Sequence, residues 1–428
     1  MLIYSYALPV LMEYRLIAAS AILALTYGLI FARGLVRRIN VPIWLVMLIG
    51  AVLMVMLGVV SPSEAYASID LQVLVFLFSL FTISSALEVS GFLTYVAHRL
   101  VSSSRKMSKL IGRVLVYSAV MSMFISNDGL SAAFTPVLIE SGRRARGVDV
   151  KPLLYALAFG VTIGSVAIPI GNPQNLLIAL ESGLPRPFIT FIIYLMVPTA
   201  VNIAVTYLIL LALFRNVAGD DIEVSAAEPR LKDPFLAKFA LASLALMVIV
   251  LILSDILDIN LNTPMVALLF AAAIYAVTPR RDEVLFNVDW QTLVFFAGLF
   301  IVSAGTVYSG ILPILARYLP SPTSLVGIFA SGLLVSQVIS NVPMVAIYIP
   351  LMRSLGVGPG DVKDWLALAA SSTIAGNLTI IGAASNIIIS QASERRGGPG
   401  FSYLEFVKYG LPTTFANALV YFAFLKIM

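Results

Sequence analysis

Cysteine is absent from this 428-residue chain, and histidine occurs once, at His98. Disulfides and thiolate metal sites are excluded, as are His-based zinc sites and the usual haem or iron–sulfur ligand sets. Charge is scarce as well. Asp, Glu, Lys and Arg make up 11% of the chain, against roughly 25% in a soluble domain. No stripe of Lys and Arg interleaved with aromatics is present to follow a phosphate backbone, so nucleic acid is not an expected partner. There is no Walker-type phosphate loop, and ATP use would require a separate subunit. No clustered acid, base or metal set marks a membrane enzyme, and no cofactor is called for.

What is abundant is apolar surface: 60% of the residues are hydrophobic and the mean hydropathy is +0.99. Such a chain must face lipid or other membrane helices, because in water it would expose apolar surface everywhere. The net charge of +5 sits in short loops and reads as topology. Apolar segments fall near 14–33, 41–59, 70–98, 151–181, 188–214, 234–254, 262–278, 288–312, 362–390 and 403–426. Glu13 and Arg15 flank the start of the first, which reads as a transmembrane helix and not as a cleaved signal.

The chain nearly repeats itself. Residues 70–100, DLQVLVFLFSLFTISSALEVSGFLTYVAHRL, are echoed at 289–319 by DWQTLVFFAGLFIVSAGTVYSGILPILARYL. Ser126-Asn127-Asp128 is echoed by Ser340-Asn341-Val342, and TIGSVAIPIGNPQN at 162–175 by TIAGNLTIIGAASN at 373–386. Two related halves with Asn/Gly/Pro-broken apolar segments are the pattern of a repeat-built transporter. The expected fold is an all-α polytopic membrane protein made of two inverted repeats, 1–214 and 234–428, around a cytoplasmic linker, 215–233. Each repeat would contain five crossings and one re-entrant hairpin, with broken helices at the midplane.

The hairpins are the segments 110–140 and 322–352, each split by a Ser-Asn pair into halves too short to cross. Arg99, Arg105, Lys106, Lys109 and Arg113 precede the first, and Arg143, Arg144, Arg146 and Lys151 follow it. Basic flanks on both sides place entry and exit at the cytoplasmic face. Arg33, Arg37, Arg38, Arg280, Arg281, Arg395 and Arg396 are cytoplasmic under the same scheme. Both termini then lie outside the cell, in the plasma membrane. The second hairpin enters from outside, between flanks of mixed sign that include Arg317, Arg353, Asp361, Lys363 and Asp364.

The breaks carry the chemistry. Helix interrupted at membrane depth frees carbonyls for a cation and N–H groups for an anion. Asn supplies both kinds of group. Candidate substrate- and ion-binding residues are Ser126, Asn127, Asp128, Gly171, Asn172, Gln174, Asn175, Ser340, Asn341, Asn377, Thr379, Ser385 and Asn386. Asn127, Asp128 and Asn341 are the candidates for Na⁺. Pro173 kinks the first break, and Gly376-Asn377-Leu378-Thr379 adds polar groups to the second. Taken singly, a Ser-Asn pair is equally a helix cap between two ordinary helices. Its recurrence in register with the repeat is what favours function.

Asp128 stands where the other half has Val342, so the symmetry of the fold does not require it. An intramembrane carboxylate can bind Na⁺, carry a proton or pair with a cation; the plainer alternative is a salt bridge or a cap. Glu88, opposite Val307 in the repeat, reads as structural or interfacial, with proton transfer as the alternative. His98 reads as interfacial, and Trp44, Trp290 and Trp365 as aromatic anchors near segment ends.

These split segments resemble the hairpins of the ion transporter superfamily, which includes divalent-anion/sodium symporters, citrate–metal carriers, arsenite-pump membrane subunits and NhaD-type antiporters. Ser126-Asn127-Asp128 with Thr135-Pro136 resembles the first-hairpin signature of the arsenite and citrate-type branches. Gly376-Asn377-Leu378-Thr379 with Gly382 and Ser385-Asn386 resembles their second-half signature. The resemblance implies a scaffold and a moving transport subdomain, elevator-like alternating access, a homodimer, and a separate ATPase subunit if the chain is arsenite-pump-like. The dicarboxylate branch has Ser-Asn-Thr at both tips; here the tips are Ser-Asn-Asp and Ser-Asn-Val. The expected function is Na⁺- or H⁺-coupled transport of a small anion, with arsenite efflux and Na⁺/H⁺ antiport as alternatives. A channel would need a continuous pore and a repeated filter.

Overall fold

A computed structural model describes residues 2–35, 41–144, 147–222, 230–259, 261–318, 320 and 322–428. Arg37, Arg38, Arg146 and linker residues 223–229 lie outside the described residues. The first half runs α1 Leu2–Leu35, α2 Ile43–Met56, α3 Pro62–Ser68, α4 Leu71–Val89, α5 Phe92–Ser102, α6 Met107–Ser122, α7 Asn127–Arg144, α8 Val150–Gly164, α9 Pro173–Glu181 and α10 Pro187–Leu213. A short α11, Arg215–Ala218, begins the linker. The second half runs α12 Pro234–Ile256, α13 Thr263–Val277, α14 Arg281–Phe286, α15 Trp290–Tyr308, α16 Leu312–Tyr318, α17 Leu325–Ile339, α18 Asn341–Ser354, α19 Val362–Ile374, α20 Ala384–Glu394 and α21 Tyr403–Ile427.

The chain is an all-α polytopic membrane bundle. Among the described residues, β pairing amounts to one isolated bridge, between Lys106 and Asp221. Among the described residues, six helical stretches are long and apolar enough to cross a membrane: Met12–Ile30, α4, α10, α12, α15 and α21. Shorter apolar helices, among them α2, α8, α13 and α17, complete the bundle. The segments 70–98, 151–181 and 362–390, continuous in hydropathy, are each divided in the fold. Gly91, at φ 77°, turns the chain between α4 and α5, and Gly310, at φ 73°, does the same after α15. A side chain would be strained in that left-handed region.

Local chemistry sets the helix starts. Asp70 accepts from the N–H groups of Gln72 and Val73, Asp289 from Thr292, Asp233 from Leu236 and Asn262 from Met265. Each cap satisfies a donor that the first turn leaves unpaired. Ser61 and Glu64 form a reciprocal capping box at α3. At α10 the cap comes from elsewhere: Asp255 Oδ2, near the end of α12, accepts from the N–H groups of Phe188 and Ile189 at 2.7 and 3.0 Å.

Packing falls into two groups. In one, α15 lies on α2, α4 on α13, and α1 and α12 flank them. In the other, α6 lies on α8, α17 on α19, α7 on α20, α9 on α18, and α10 on α21. A buried polar seam joins α10 to α21: Asn417 Nδ2 donates to Asn202 Oδ1 and Thr206 Oγ1, and Thr199 and Tyr421 share a 2.7 Å hydrogen bond. Where lipid offers no partners, such bonds fix how helices pair. Trp365 is not an interfacial anchor. It is wholly buried, and its indole N–H donates to the Gly358 carbonyl at 2.9 Å. Trp290 is about half exposed and donates to Leu285 O near the start of α15.

Small residues let α6 and α8 touch. A Cβ on Gly160 would run into Ser118 Oγ, and one on Gly164 into the Ala119 carbonyl. Gly332 meets Ser371 in the same way between α17 and α19. Gly164→Ala should therefore destabilise the protein by about 1–3 kcal/mol, the usual cost of overpacking. Gly28→Ala has open space around it and should leave stability unchanged or slightly raised. Thermal unfolding of the detergent-purified variants measures both, and equal shifts would contradict the packing argument.

Candidate functional site

One cavity, of about 390 Å³, is lined from both halves. The tip before α7 contributes Ser126, Asn127 and Asp128, and the tip before α18 contributes Ser340, Asn341 and Val342. The break between α8 and α9 contributes Gly171, Asn172 and Gln174; that between α19 and α20 contributes Gly382 and Ala383, with Ser385 of α20 beside them. The starts of α2 and α15 add Trp44, Asp289, Gln291 and Thr292, and Leu77, Leu80 and Phe81 make part of an apolar wall. Four of the candidate residues stand behind this surface: Asn175, Asn377, Thr379 and Asn386 do not line the cavity but are buried around the breaks.

The first break holds itself together. α8 ends at Gly164, a short 3-10 turn spans Pro169–Gly171, and extended Asn172 caps α9 by accepting from Asn175 N at 2.8 Å. The Ser165 carbonyl, freed by the end of α8, receives Asn172 Nδ2 at 2.9 Å and Asn175 Nδ2 at 3.0 Å. Gly171 lies so close to Ser165 that a Cβ would strike its backbone. Asn127 Nδ2 donates to Ser165 Oγ at 3.3 Å, tying the hairpin tip to the break. Thr373 crosses over from the other half. Its Oγ1 accepts from Asn172 Nδ2 and Gln174 Nε2 and donates to Asn175 Oδ1.

The second break is built differently. Asn386 Nδ2 donates to Gly376 O at 2.7 Å and to Thr379 O at 3.4 Å. Gln337 of α17 donates to Ala375 O and accepts from Thr379 Oγ1 at 2.7 Å. Ser340 sits at φ 73°, a conformation costly for a residue with a Cβ and one that concentrates at functional sites. Asn127 Oδ1, Asn341 Oδ1, Asn377 Oδ1, Ser385 Oγ and Asn386 Oδ1 are buried oxygens without a hydrogen-bond partner. Buried polar atoms in this state call for a ligand or an ion. Hard cations take oxygen ligands of this kind, and Asn127 and Asn341, two of the residues expected to meet Na⁺, are among these. Among the described residues no group of three or more His, Cys, Asp or Glu could hold a metal ion.

The electrostatics of the lining are one-sided. Asp128, in the first turn of α7, and Asp289 are its carboxylates, and among the described residues no Lys, Arg or His lines the cavity. Several of these residues escaped sequence reasoning. Asp289 read as the start of an apolar segment, although its repeat partner Asp70 caps α4 and stands outside the cavity. Gln337, a polar residue in an apolar run three positions before Ser340, was a signal left unused.

A family model described as Citrate transporter matches residues 27–375. The chain belongs to the citrate transporter family. The silicon efflux transporter LSI3 of Oryza sativa subsp. japonica is 29% identical, over 86% of this chain and 89% of the relative. A 46 kDa membrane protein of Mycobacterium leprae is 28% identical, over 93% of this chain and 95% of that one. The YdaH transporter of Alcanivorax borkumensis shares the fold, with a TM-score of 0.53 at 16% identity, covering 82% of this chain and 84% of that structure. This family member is a membrane transporter and not an enzyme.

Thr373 is the bond that links the halves at the first break. Thr373→Val keeps its shape and removes its hydroxyl, leaving buried amides of Asn172, Gln174 and Asn175 short of a partner. The expected cost is about 1–3 kcal/mol, read as a lowered Tm. Thr162→Val removes only a bond to Ala158 O within α8 and should cost less. A smaller loss at Thr373 than at Thr162 would contradict this assignment.

Proposed function

We propose that this transporter is an alternating-access carrier that moves a small uncharged hydroxy acid, of the arsenite or silicic acid type, out of the cell against entry of Na⁺ or H⁺. The observation that carries this reading is the cavity's polar lining, which beside an apolar wall offers amides, hydroxyls and two carboxylates and, among the described residues, no cationic side chain. An anion placed there would face two carboxylates without a fixed counter-charge, at a cost that low dielectric enlarges. A neutral polyhydroxylated solute meets amide and hydroxyl partners at no such penalty. Arsenite is largely uncharged near pH 7. The rice relative named as a silicon efflux transporter supports the same solute class.

The carrier architecture in this proposal is two inverted repeats, 1–214 and 234–428, with α6/α7 and α17/α18 as re-entrant hairpins and 215–233 as the cytoplasmic linker. Its support is the exchange of packing partners: α4 with α13 answers α15 with α2, α6 with α8 answers α17 with α19, and α7 with α20 answers α18 with α9. An odd number of crossings per half, five in each, gives opposite orientations to the two copies. The group holding both breaks is the part that moves against the α2/α4/α13/α15 group, in a plasma-membrane homodimer with external termini. A second reading, symport of a small anion, draws on the partnerless oxygens of Asn127 and Asn341, since a cation bound there would offset the anion's charge.

Purified protein in liposomes lacking ATP tests these readings together. Arsenite, silicic acid, citrate, phosphate and sulfate are offered under separate Na⁺ and H⁺ gradients. Gradient-driven flux of arsenite or silicic acid is expected, reduced at least about tenfold in Asp128→Asn, with little citrate movement. Citrate flux in place of these would establish the second reading. Cation exchange without any solute flux would make the protein an antiporter.

A further inference from the structure

The reading above uses Asp289 only as one of two negative charges in the lining. As the N-cap of α15 it accepts from Thr292 N at 3.0 Å on one oxygen and from Thr292 Oγ1 at 2.6 Å on the other. Capping does not explain its charge, because Ser and Asn cap about as well as Asp. Nor does capping need a cavity, since the matching Asp70 caps α4 away from it. Asp289 instead shares the cavity with Asp128, and each carboxylate oxygen retains acceptor capacity beyond its single intrahelical bond. Asn341 and Ser385, 8% and 1% exposed, line the same cavity with Oδ1 and Oγ unpartnered.

Among the described residues, no other Asp, Glu, Lys, Arg or His lines this cavity. On the helices packed against α15, the groups Glu13, Arg15, Glu64, Glu88 and Arg353 lie outside the lining. On those packed against α7, so do His98, Arg99, Lys109, Arg113, Lys151 and Glu394. Two carboxylates that line one cavity with no basic side chain beside them favour a cation in that space.

We propose that Asp128 and Asp289 together form a cation site in the cavity that holds one shared positive charge, a proton or a sodium ion. The two carboxylates belong to different packing groups, Asp128 to the hairpin that lies on α20 and Asp289 to the helix that lies on α2. The site is therefore complete only while those groups stand as they do here, and their relative movement takes it apart and releases the cation. This rests on the carrier reading of the previous subsection and adds to it the residue that couples movement to the ion.

Cation-dependent thermal stability of the purified full-length protein tests the site without any transported solute. NaCl is titrated against choline chloride at pH 8.5, and pH is titrated separately in choline. Wild type should gain Tm in whichever series supplies the bound cation, which distinguishes Na⁺ from H⁺. Asp128→Asn and Asp289→Asn should each raise the half-point at least about tenfold, and the double variant should add nothing further. Asp289→Ser keeps a cap without charge and should behave as Asp289→Asn does, which covers the event that one variant folds poorly. Asp149→Asn, at an exposed cap of α8, should leave the cation dependence intact. If the Asp289 variants titrate as wild type while Asp128→Asn does not, Asp289 is a cap alone and the proposal falls, with the carrier reading untouched. A wild-type protein indifferent to both cations also overturns the site. Only gradient-independent flux in the liposome experiment would then remove ion coupling as well.

Discussion

The amides of Asn172 and Asn175 both point at one carbonyl, that of Ser165. A helix that stops inside a membrane leaves carbonyls that neither lipid nor the next turn can satisfy. These two side chains take over that duty, and the rest of the site is arranged around them. Once Ser165 is held, Asn127 can reach its hydroxyl, which fixes the tip of the first hairpin. Once Asn172 is held, it caps α9 and sets the direction in which the chain leaves the break. Thr373 then closes the arrangement from the far half of the molecule. Without that cluster the cavity would have no wall on the α8/α9 side.

Much of this was legible in the sequence. The echo of 70–100 at 289–319 becomes a shared helix–glycine–helix pattern, with Gly91 and Gly310 in the same left-handed turn. The Ser-Asn pairs fall where α6 gives way to α7 and α17 to α18, because Asn and Ser cap helices more readily than they continue them. The two Gly/Asn-rich segments become the two breaks. What hydropathy could not deliver was partnership. Nothing in the sequence near Thr373 says that its hydroxyl serves residues of the first half, since that contact exists only after the halves pack. Trp365 looked like an anchor because tryptophans near segment ends commonly are; burial against the Gly358 turn is a tertiary outcome. Asp289 caps α15 as Asp70 caps α4, so nothing in the local sequence distinguishes the one that lines the cavity from the one that does not.

The two breaks have diverged in how they meet the same constraint. The first satisfies its amides internally and through Thr373, while the second borrows Gln337 from α17 and leaves Asn377, Ser385 and Asn386 with bare polar atoms. Thr162, which matches Thr373 in the repeat, bonds only within its own helix. The two breaks thus present different surfaces to the cavity, one with its amides satisfied and the other with polar atoms still short of partners.

The bond from Asn172 to Thr373 spans 201 residues of chain. A ribosome adding 5–20 residues per second takes roughly 10 to 40 seconds to cover that distance. For that interval the first break lacks the hydroxyl that completes it. Asn172 and Asn175 can already meet the Ser165 carbonyl, but Gln174, whose amide bonds Thr373, must wait, so the time at which the cluster is complete is set by translation speed as well as by local stability.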